Sequence, residues 1–260
     1  MNLPLPLVMA AAAGEAEALS EVVRVLHRPL YNLALRMLIQ HQDAEDATQE
    51  ALLRIITHLG SFRGDSRFST WAWTLATRVV LEHLRARGSV TLSIEDFEAD
   101  LADGRDDDAR IEDQVLLRQV KLGCGRAMLS CLDDELRIAY TLGEILEVPG
   151  PQAARALEIS APAFRKRLSR ARKLVHEHLH RVCGVVDESA PCRCAKRVRP
   201  AQRMGRLMNR DAEGDLEVES LVRRLCSVDE TRRATEFYRA DPMVFSAELV
   251  HRVRGLLGIG

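Results

Sequence analysis

Aromatic side chains are scarce in this sequence, which has two Trp, three Tyr and six Phe among 260 residues. Alternating patterns of β-branched residues are nearly absent as well. Strands favour both residue types, whereas Ala, Leu, Arg and Glu, which are abundant here, favour helices. The composition therefore predicts an all-α protein.

Long hydrophobic runs are also missing, and none approaches the ~18 residues needed to span a bilayer. The stretch MNLPLPLVMAAAAGEAEAL begins without the basic residues of a secretion signal, and Pro4 and Pro6 interrupt it. We interpret it as a disordered leader that runs into a helix. The expected location is the cytoplasm, with no membrane partner, where disulfides are not the default for the six cysteines.

Motifs of catalysis are absent: the sequence has no P-loop, no GxSxG and no HExxH. We therefore expect a protein that is not an enzyme. Its total charge is nearly balanced, with 37 Lys and Arg against 38 Asp and Glu. Any affinity for a polyanion must come from local concentrations of charge.

One such concentration is FRKRLSRARK at residues 164–173. At helical spacing, Phe164, Leu168, Ala171 and Val175 form an apolar stripe, and most of the basic residues point away from it. A solvated helix face usually mixes charges of both signs, but no acid occurs from residue 161 to 175. The segment predicts a helix that binds a polyanion such as nucleic acid.

The preceding stretch PGPQAARALEIS, residues 149–160, predicts a short helix that begins near Pro151, followed by a turn. Ser160 is a suitable N-cap for the basic helix. A short helix, a turn and a basic helix form a helix-turn-helix, whose second helix enters the major groove. Glu158 occupies the turn, where glycine would more readily adopt a left-handed conformation.

The chain divides into four predicted parts. Residues 15–87 form a first helical domain, and residues 88–113, which are strongly acidic, form a flexible linker. Residues 114–182 form a second helical domain that ends in the helix-turn-helix. Residues 183–260 form a small helical extension that begins with cysteines.

Within the first domain, DAEDATQEALLRIITHL at residues 43–59 is an amphipathic helix. Its outer face carries Asp43, Asp46, Glu50 and an exposed Leu53. A leucine among acids suits docking to a basic partner better than solvation alone, although a solvated face is the alternative.

Residues 61–87, SFRGDSRFSTWAWTLATRVVLEHLRAR, place four aromatics within twelve positions and interleave them with arginines. Rings stack on unpaired bases and cations follow phosphates, so this segment predicts contact with single-stranded nucleic acid. The alternative is that the rings belong to the core.

Together, DAEDATQEALLRI, RFSTWAWTLATRVVLEHLR and QAARALEISAPAFRKRLSRAR resemble, in order and spacing, bacterial RNA polymerase sigma factors of the extracytoplasmic-function (ECF) type. The resemblance covers roughly residues 20–180. It implies a protein that gives RNA polymerase its promoter specificity in transcription initiation. The implied partners are the RNA polymerase core, promoter DNA and an anti-sigma factor, and no cofactor is required.

The resemblance also implies roles for individual residues. The face that docks on the clamp helices of the polymerase comprises Asp43, Asp46, Gln49, Glu50 and Leu53. The residues that approach the −10 element are Arg67, Trp71, Trp73, Arg78 and Arg85. The residues that approach the −35 element are Ser160, Ala163, Arg165, Lys166, Ser169, Arg170 and Lys173.

Two positions depart from the family pattern. Arg78 stands where Asn is frequent, and Glu158 stands where the turn glycine is expected. The alternative to a sigma factor is a helix-turn-helix regulator with a metal- or redox-sensing C-terminal module. Such a regulator would bind its operator without the polymerase.

The stretch HEHLHRVCGVVDESAPCRC, residues 176–194, brings three cysteines close to three histidines. His180, Cys183, Cys192 and Cys194 form a candidate zinc site, since three thiolates and one imidazole suit tetrahedral zinc. Thiol redox sensing and an incidental cluster are the alternatives. The other cysteines, Cys124, Cys131 and Cys226, fit buried apolar positions. We also hypothesise that residues 183–260 regulate the chain in cis.

Overall fold

The structure is a computed structural model, and it describes residues 3–88, 92–103 and 114–203, together with Gly255. Ten α-helices run through these residues: α1 (Leu5–Ala12), α2 (Ala16–Leu38), α3 (His41–Thr57), α4 (Phe68–Arg87), α5 (Ile94–Asp103), α6 (Gln114–Ser130), α7 (Asp134–Tyr140), α8 (Gly150–Ala156), α9 (Ala161–Val182) and α10 (Cys194–Arg203). A 3-10 turn at Leu59–Ser61 and a π-helical turn at Thr141–Ile145 lie between them. The described residues contain no strand, only an isolated bridge between Cys183 and Cys192, which confirms the all-α prediction. None of the described helices is both long and apolar enough to cross a membrane.

The helices form two compact units, and neither unit is a continuous stretch of chain. Among the described residues, the first unit contains 3–88 and 141–167, and the second contains 92–103, 114–140 and 168–203. Helix α9 begins in the first unit and continues into the second. The sequence-based division into consecutive domains had placed the whole helix-turn-helix with residues 114–140.

The first unit is built on α2, α3 and α4, whose apolar faces pack together. Their buried side chains recur at steps of three or four residues, as a helix on a core requires. Examples are Leu26 and Leu30 on α2, Leu52 and Ile55 on α3, and Ala76 and Val80 on α4. Each fully buried Leu or Ile stabilises the fold by about 1.5–3 kcal/mol relative to an exposed one.

The N-terminal stretch is helical, so the interpretation of it as a disordered leader was wrong over residues 5–12. Pro4 is the N-cap of α1 and Pro6 lies in its first turn, where the missing N–H has no intrahelical acceptor to lose. Val8 and Ala11 are buried, which anchors this helix to the unit.

The predicted linker also contains a helix: α5 occupies residues 94–103. Phe97 and Leu101, four positions apart, are both buried, so one apolar stripe suffices to dock this acidic helix. The Phe97 ring stacks on His178 with a centroid separation of 5.4 Å. Residues 89–91 and 104–113 of the predicted linker lie outside the described residues.

Ion pairs hold α5 in the second unit. Glu98 accepts from His178 at 3.1 Å and also pairs with Arg181 on α9. Arg197 on α10 donates to the Asp100 carboxylate at 2.9 Å, and its side chain is only 8% exposed. The acidic residues that suggested a solvated linker are thus partly used as anchors for α9 and α10.

Candidate polymerase and promoter surfaces

The predicted polymerase face lies on α3 and is partly engaged by α4. Asp43 accepts an ion-pair hydrogen bond from Arg87 at 2.8 Å. Glu50 lies 2.7 Å from His83 and also pairs with Arg54 within α3. The hydrogen bond with His83 is the main cause that lowers the pKa of Glu50. These two carboxylates therefore also join α3 to α4.

The rest of the predicted face is open to a partner. Asp46 is exposed, and Gln49 and Leu53 are half-buried. Steps of three and four residues place them on one side of α3. An apolar side chain beside an acid and an amide offers both contact area and charge to a docking protein.

An aromatic cluster of Phe62, Phe68 and Trp71 precedes and begins α4. Its ring centroids lie 5.5–5.8 Å apart in tilted and edge-on arrangements. Phe62 and Phe68 are buried, whereas Trp71 is half-exposed above them. The two buried rings thus pack against Trp71 and hold it in place, and the exposed part of the Trp71 ring remains available for stacking.

Trp73 lies two positions from Trp71 and hence about 200° around the helix. It is only 4% exposed and belongs to the core. Of the two tryptophans assigned to the −10 element, only Trp71 offers surface to a base in this structure.

Cations continue from Trp71 along α4. Arg78 and Arg85 follow it at steps of seven residues, two helical turns each, so the three side chains share one stripe with a spacing of about 10 Å. Both arginines are exposed, as is Arg67 immediately before the helix. One ring followed by guanidinium groups on one stripe suits single-stranded DNA, because an unpaired base can stack on the ring and the phosphates can pair with the cations.

The helix-turn-helix packs against this part of α4 within the first unit. Thr77 donates a buried hydrogen bond to the Ala156 carbonyl at 2.8 Å, and Gln152 donates to the Ser69 hydroxyl at 2.8 Å. Arg78 pairs with Glu158. Arg78, an exposed arginine of the predicted −10 surface, is therefore bound to the turn of the predicted −35 reader.

The turn between α8 and α9 has the strain that its sequence predicted. Glu158 adopts a left-handed conformation with φ 56°, which costs a non-glycine residue ~1 kcal/mol. The Ile159 N–H closes α8 by donating to the Ala154 carbonyl at 3.0 Å. The Ser160 hydroxyl accepts from the Ala163 N–H at 3.3 Å, which confirms it as the cap of α9.

Helix α9 separates apolar and basic residues as predicted. Phe164, Leu168, Ala171 and Val175 are all buried. The basic face, by which we mean the exposed cationic residues opposite them, comprises Arg165, Lys166, Arg170, Arg172 and Lys173. Ser169 is exposed on the same side, and Ala163 is half-buried. The nearest acid along the helix is Glu177, 3.8 Å from Lys173.

The cysteines of the second unit gather differently from the predicted zinc site. Cys183 and Cys192 face each other across the isolated bridge, and Cys124 from α6 and Cys194 line the same cavity. His180 instead pairs with Asp187 at 3.7 Å. Sequence reasoning missed Cys124 because it lies some 60 residues earlier in an apolar helix pattern, with no spacing signal to the others.

The cysteines of this cluster, Cys124, Cys183, Cys192 and Cys194, do not form disulfides. Burial raises the pKa of Cys124 well above its usual value and that of Cys194 to about 12. Within the described residues, no three Cys, His, Asp or Glu side chains already converge on one point as metal ligands. Cys226 lies outside those residues.

Helices that present a ring-and-arginine stripe and a basic helix-turn-helix define a nucleic-acid-binding protein of the transcription machinery, and comparisons with known proteins agree. Residues 22–90 match the Sigma-70 region 2 family. The RNA polymerase sigma-H factor of Pseudomonas aeruginosa is 28% identical over 177 residues, which cover 66% of this chain and 92% of that protein. The ECF RNA polymerase sigma factor SigW of Bacillus subtilis is 26% identical over 175 residues, which cover 64% of this chain and 91% of that protein.

Among solved structures, CnrH in complex with the cytosolic domain of CnrY matches with a TM-score of 0.47 at 22% identity, and it covers 65% of this chain and 91% of its own. The chain thus contains a region that matches the Sigma-70 region 2 family, and it is similar to ECF sigma factors over about two thirds of its length. It is an RNA polymerase sigma factor that functions in transcription initiation.

Proposed function

We propose that this sigma factor uses three separate surfaces: the polymerase face of α3 for the core enzyme, the stripe on α4 for the −10 element, and the basic face of α9 for the −35 element. The observation that carries the proposal is the basic face of α9, where exposed cations stand opposite a buried apolar stripe. Such a face fits a major groove, because phosphates flank the base edges that specify the sequence.

Promoter opening is assigned to α4. Strand separation exposes bases that must be captured, and stacking on an aromatic side chain contributes roughly 1–3 kcal/mol per base. Trp71 supplies the ring, and Arg67, Arg78 and Arg85 supply cations for the backbone. Bond formation belongs to the polymerase in this proposal, so the chain is not an enzyme and needs no cofactor.

The two DNA surfaces must separate before both can act. The positions that name the −10 and −35 elements differ by about 25 base pairs, which is roughly 85 Å at about 3.4 Å per base pair. Direct contacts of α8 with α4, through Gln152 and Thr77, do not allow such a distance. We infer that the structure represents a resting arrangement, which opens when the polymerase core binds. We also propose an anti-sigma factor as a partner, and only the similarity to ECF sigma factors supports this.

Run-off transcription with purified core polymerase on a library of genomic fragments tests the proposal. We expect specific initiation only when chain and core are both present, and weak DNA binding by the chain alone. A chain that binds one operator tightly without core, and directs no initiation with it, would instead be the helix-turn-helix regulator considered above.

A further inference from the structure

Four cysteines that are distant in sequence line one cavity of about 420 Å³ in the second unit. Cys124 comes from α6, Cys183 follows the last residue of α9, Cys192 lies in the next loop and Cys194 begins α10. None of them forms a disulfide. Promoter binding as proposed above uses none of them, so that function does not explain why all four line one cavity.

Backbone hydrogen bonds and one glycine fix the loop that brings Cys192 next to Cys183. The Cys192 N–H donates to the Val182 carbonyl at 3.0 Å, and the Gly184 N–H donates to the Cys192 carbonyl at 3.0 Å. A Cβ atom at Gly184 would lie 2.5 Å from that carbonyl oxygen, so this approach requires glycine.

Arg193 closes the same loop. Its guanidinium donates to the Glu188 carbonyl at 2.6 Å and to the Cys192 carbonyl at 3.0 Å, and it also bonds to Ala190. The side chain of one arginine thus satisfies three carbonyls of the loop. Because it lies between Cys192 and Cys194, it holds both thiols at the cavity.

We propose that Cys124, Cys183, Cys192 and Cys194 bind one Zn²⁺ ion as four thiolates. Zinc in structural sites takes four ligands in a tetrahedron, and four cysteines are a common set. A disulfide would use two of these thiols and would not explain why the other two line the same cavity. Among the described residues, no three such side chains meet at one point, so the proposed site forms only when side-chain rotation brings the Sγ atoms together around the ion.

The surroundings suit the charge of the filled site. Four thiolates on Zn²⁺ carry a net charge of −2, which a nearby cation stabilises. Arg197 lines the cavity, is nearly buried and is held by Asp100 at 2.9 Å. Zinc would then join α6, the end of α9 and α10, and its binding free energy would stabilise the folded second unit.

The test is zinc stoichiometry of the full chain after dialysis, together with the absorption spectrum of the Co²⁺-substituted chain, whose bands report the number of thiolate ligands. We expect one ion per chain with a four-thiolate spectrum. C124S and C192S should each lower Zn²⁺ affinity by more than the roughly 10–100-fold that loss of an outer partner costs.

Two matched variants sharpen the result. H180A should keep full affinity because His180 pairs with Asp187, and C131S should keep it because Cys131 lies away from the cavity, near the Ser93 carbonyl. Loss of zinc in H180A but not in C124S would restore the sequence-based ligand set and overturn the proposal. A wild-type chain that binds no zinc, or that loses two hydrogens to form a Cys183–Cys192 disulfide instead, would also overturn it.

Discussion

Arg78 on α4 and Glu158 in the turn before α9 form an ion pair across the packed surfaces of the first unit. They are also the two positions at which the sequence departs from the family pattern. The residue expected to approach the melted strand thus pairs with the residue that occupies the position expected to be glycine. The pair joins the −10 surface to the helix-turn-helix.

We expect the pair to contribute modestly to the resting arrangement. Its side chains are 52% and 59% exposed, and exposed pairs contribute at most about 1 kcal/mol. Glu158→Gln keeps the side-chain size and removes the charge, so promoter complexes with core should form up to about fivefold more readily. Equilibrium binding of labelled promoter DNA measures this effect.

Glu158→Gly is the matched variant: it lacks the ion pair, as Glu158→Gln does, but it also relieves the strain of the positive φ. Its free energy of unfolding should therefore exceed that of Glu158→Gln by ~1 kcal/mol. A fall in promoter binding by Glu158→Gln would mean that Glu158 acts in the DNA-bound state rather than in the resting one.

The two tryptophans give the second prediction. Trp73→Ala removes a buried ring and should lower the free energy of unfolding by about 3–5 kcal/mol. Trp71→Ala should leave a folded chain that opens promoters poorly, because the half-exposed ring is the one available to a base. Chemical denaturation and permanganate footprinting separate the two effects. A folded Trp71→Ala chain with normal opening would remove this ring from the −10 surface.

Much of this architecture could be predicted from periodicity. The apolar stripe of α9, the Ser160 cap and the strained Glu158 all follow from local rules that depend on a few neighbouring residues. The interpretation of residues 88–113 as a linker missed α5. Its buried residues Phe97 and Leu101 give too weak an apolar pattern to indicate a helix in a strongly acidic segment. Their burial depends on partners such as His178, distant in sequence.

In the candidate sites too, local features could be predicted from the sequence and contacts between distant residues could not. Exposed cations on α9 were predictable because a face is a local property. The participation of Cys124 in the thiol cluster was not, because only packing of α6 beside the loop at 183–194 brings it there. The Arg78–Glu158 pair likewise connects positions 80 residues apart, which no local pattern reports.

Docking to the polymerase is best tested at Asp46. Asp43 and Glu50 also hold α4 through Arg87 and His83, so changes there would alter the fold as well as the face. Asp46→Lys is a surface change and should cost under about 0.5 kcal/mol of stability, yet it should weaken core binding. Fluorescence anisotropy with core polymerase measures the affinity, and circular dichroism checks the fold. Unchanged affinity would place the docking face elsewhere.

The stability of the second unit should depend on pH through His178. Burial lowers the pKa of this imidazole from its ordinary value of 6.5, despite the neighbouring Glu98 that raises it; Arg181 acts in the same direction as burial. The unfolded chain therefore takes up a proton first as the pH falls, so stability is full above about pH 6.5 and declines below it.

His178→Gln should flatten this decline relative to the wild type, since glutamine does not titrate. Denaturation curves between neutral and mildly acidic pH, taken on both chains, give the difference and cancel contributions from other buried histidines such as His27. Parallel curves for the two chains would show that His178 keeps its ordinary pKa in the fold.

The basic face of α9 yields the last prediction. Lys166 and Arg170 are exposed one helical turn apart, opposite the buried Leu168. If either contacts a base edge, its change to Ala should cost about 1–3 kcal/mol on the cognate promoter and less on a mutated −35 element. If either contacts only phosphate, the loss should be equal on both promoters, and the slope of log affinity against log salt should fall by about 1. Holoenzyme binding at several salt concentrations distinguishes the two, and Glu17→Gln, an exposed position on α2, is the control that changes charge away from α9. A double variant with unchanged affinity and slope on both promoters would show that α9 does not contact the −35 element.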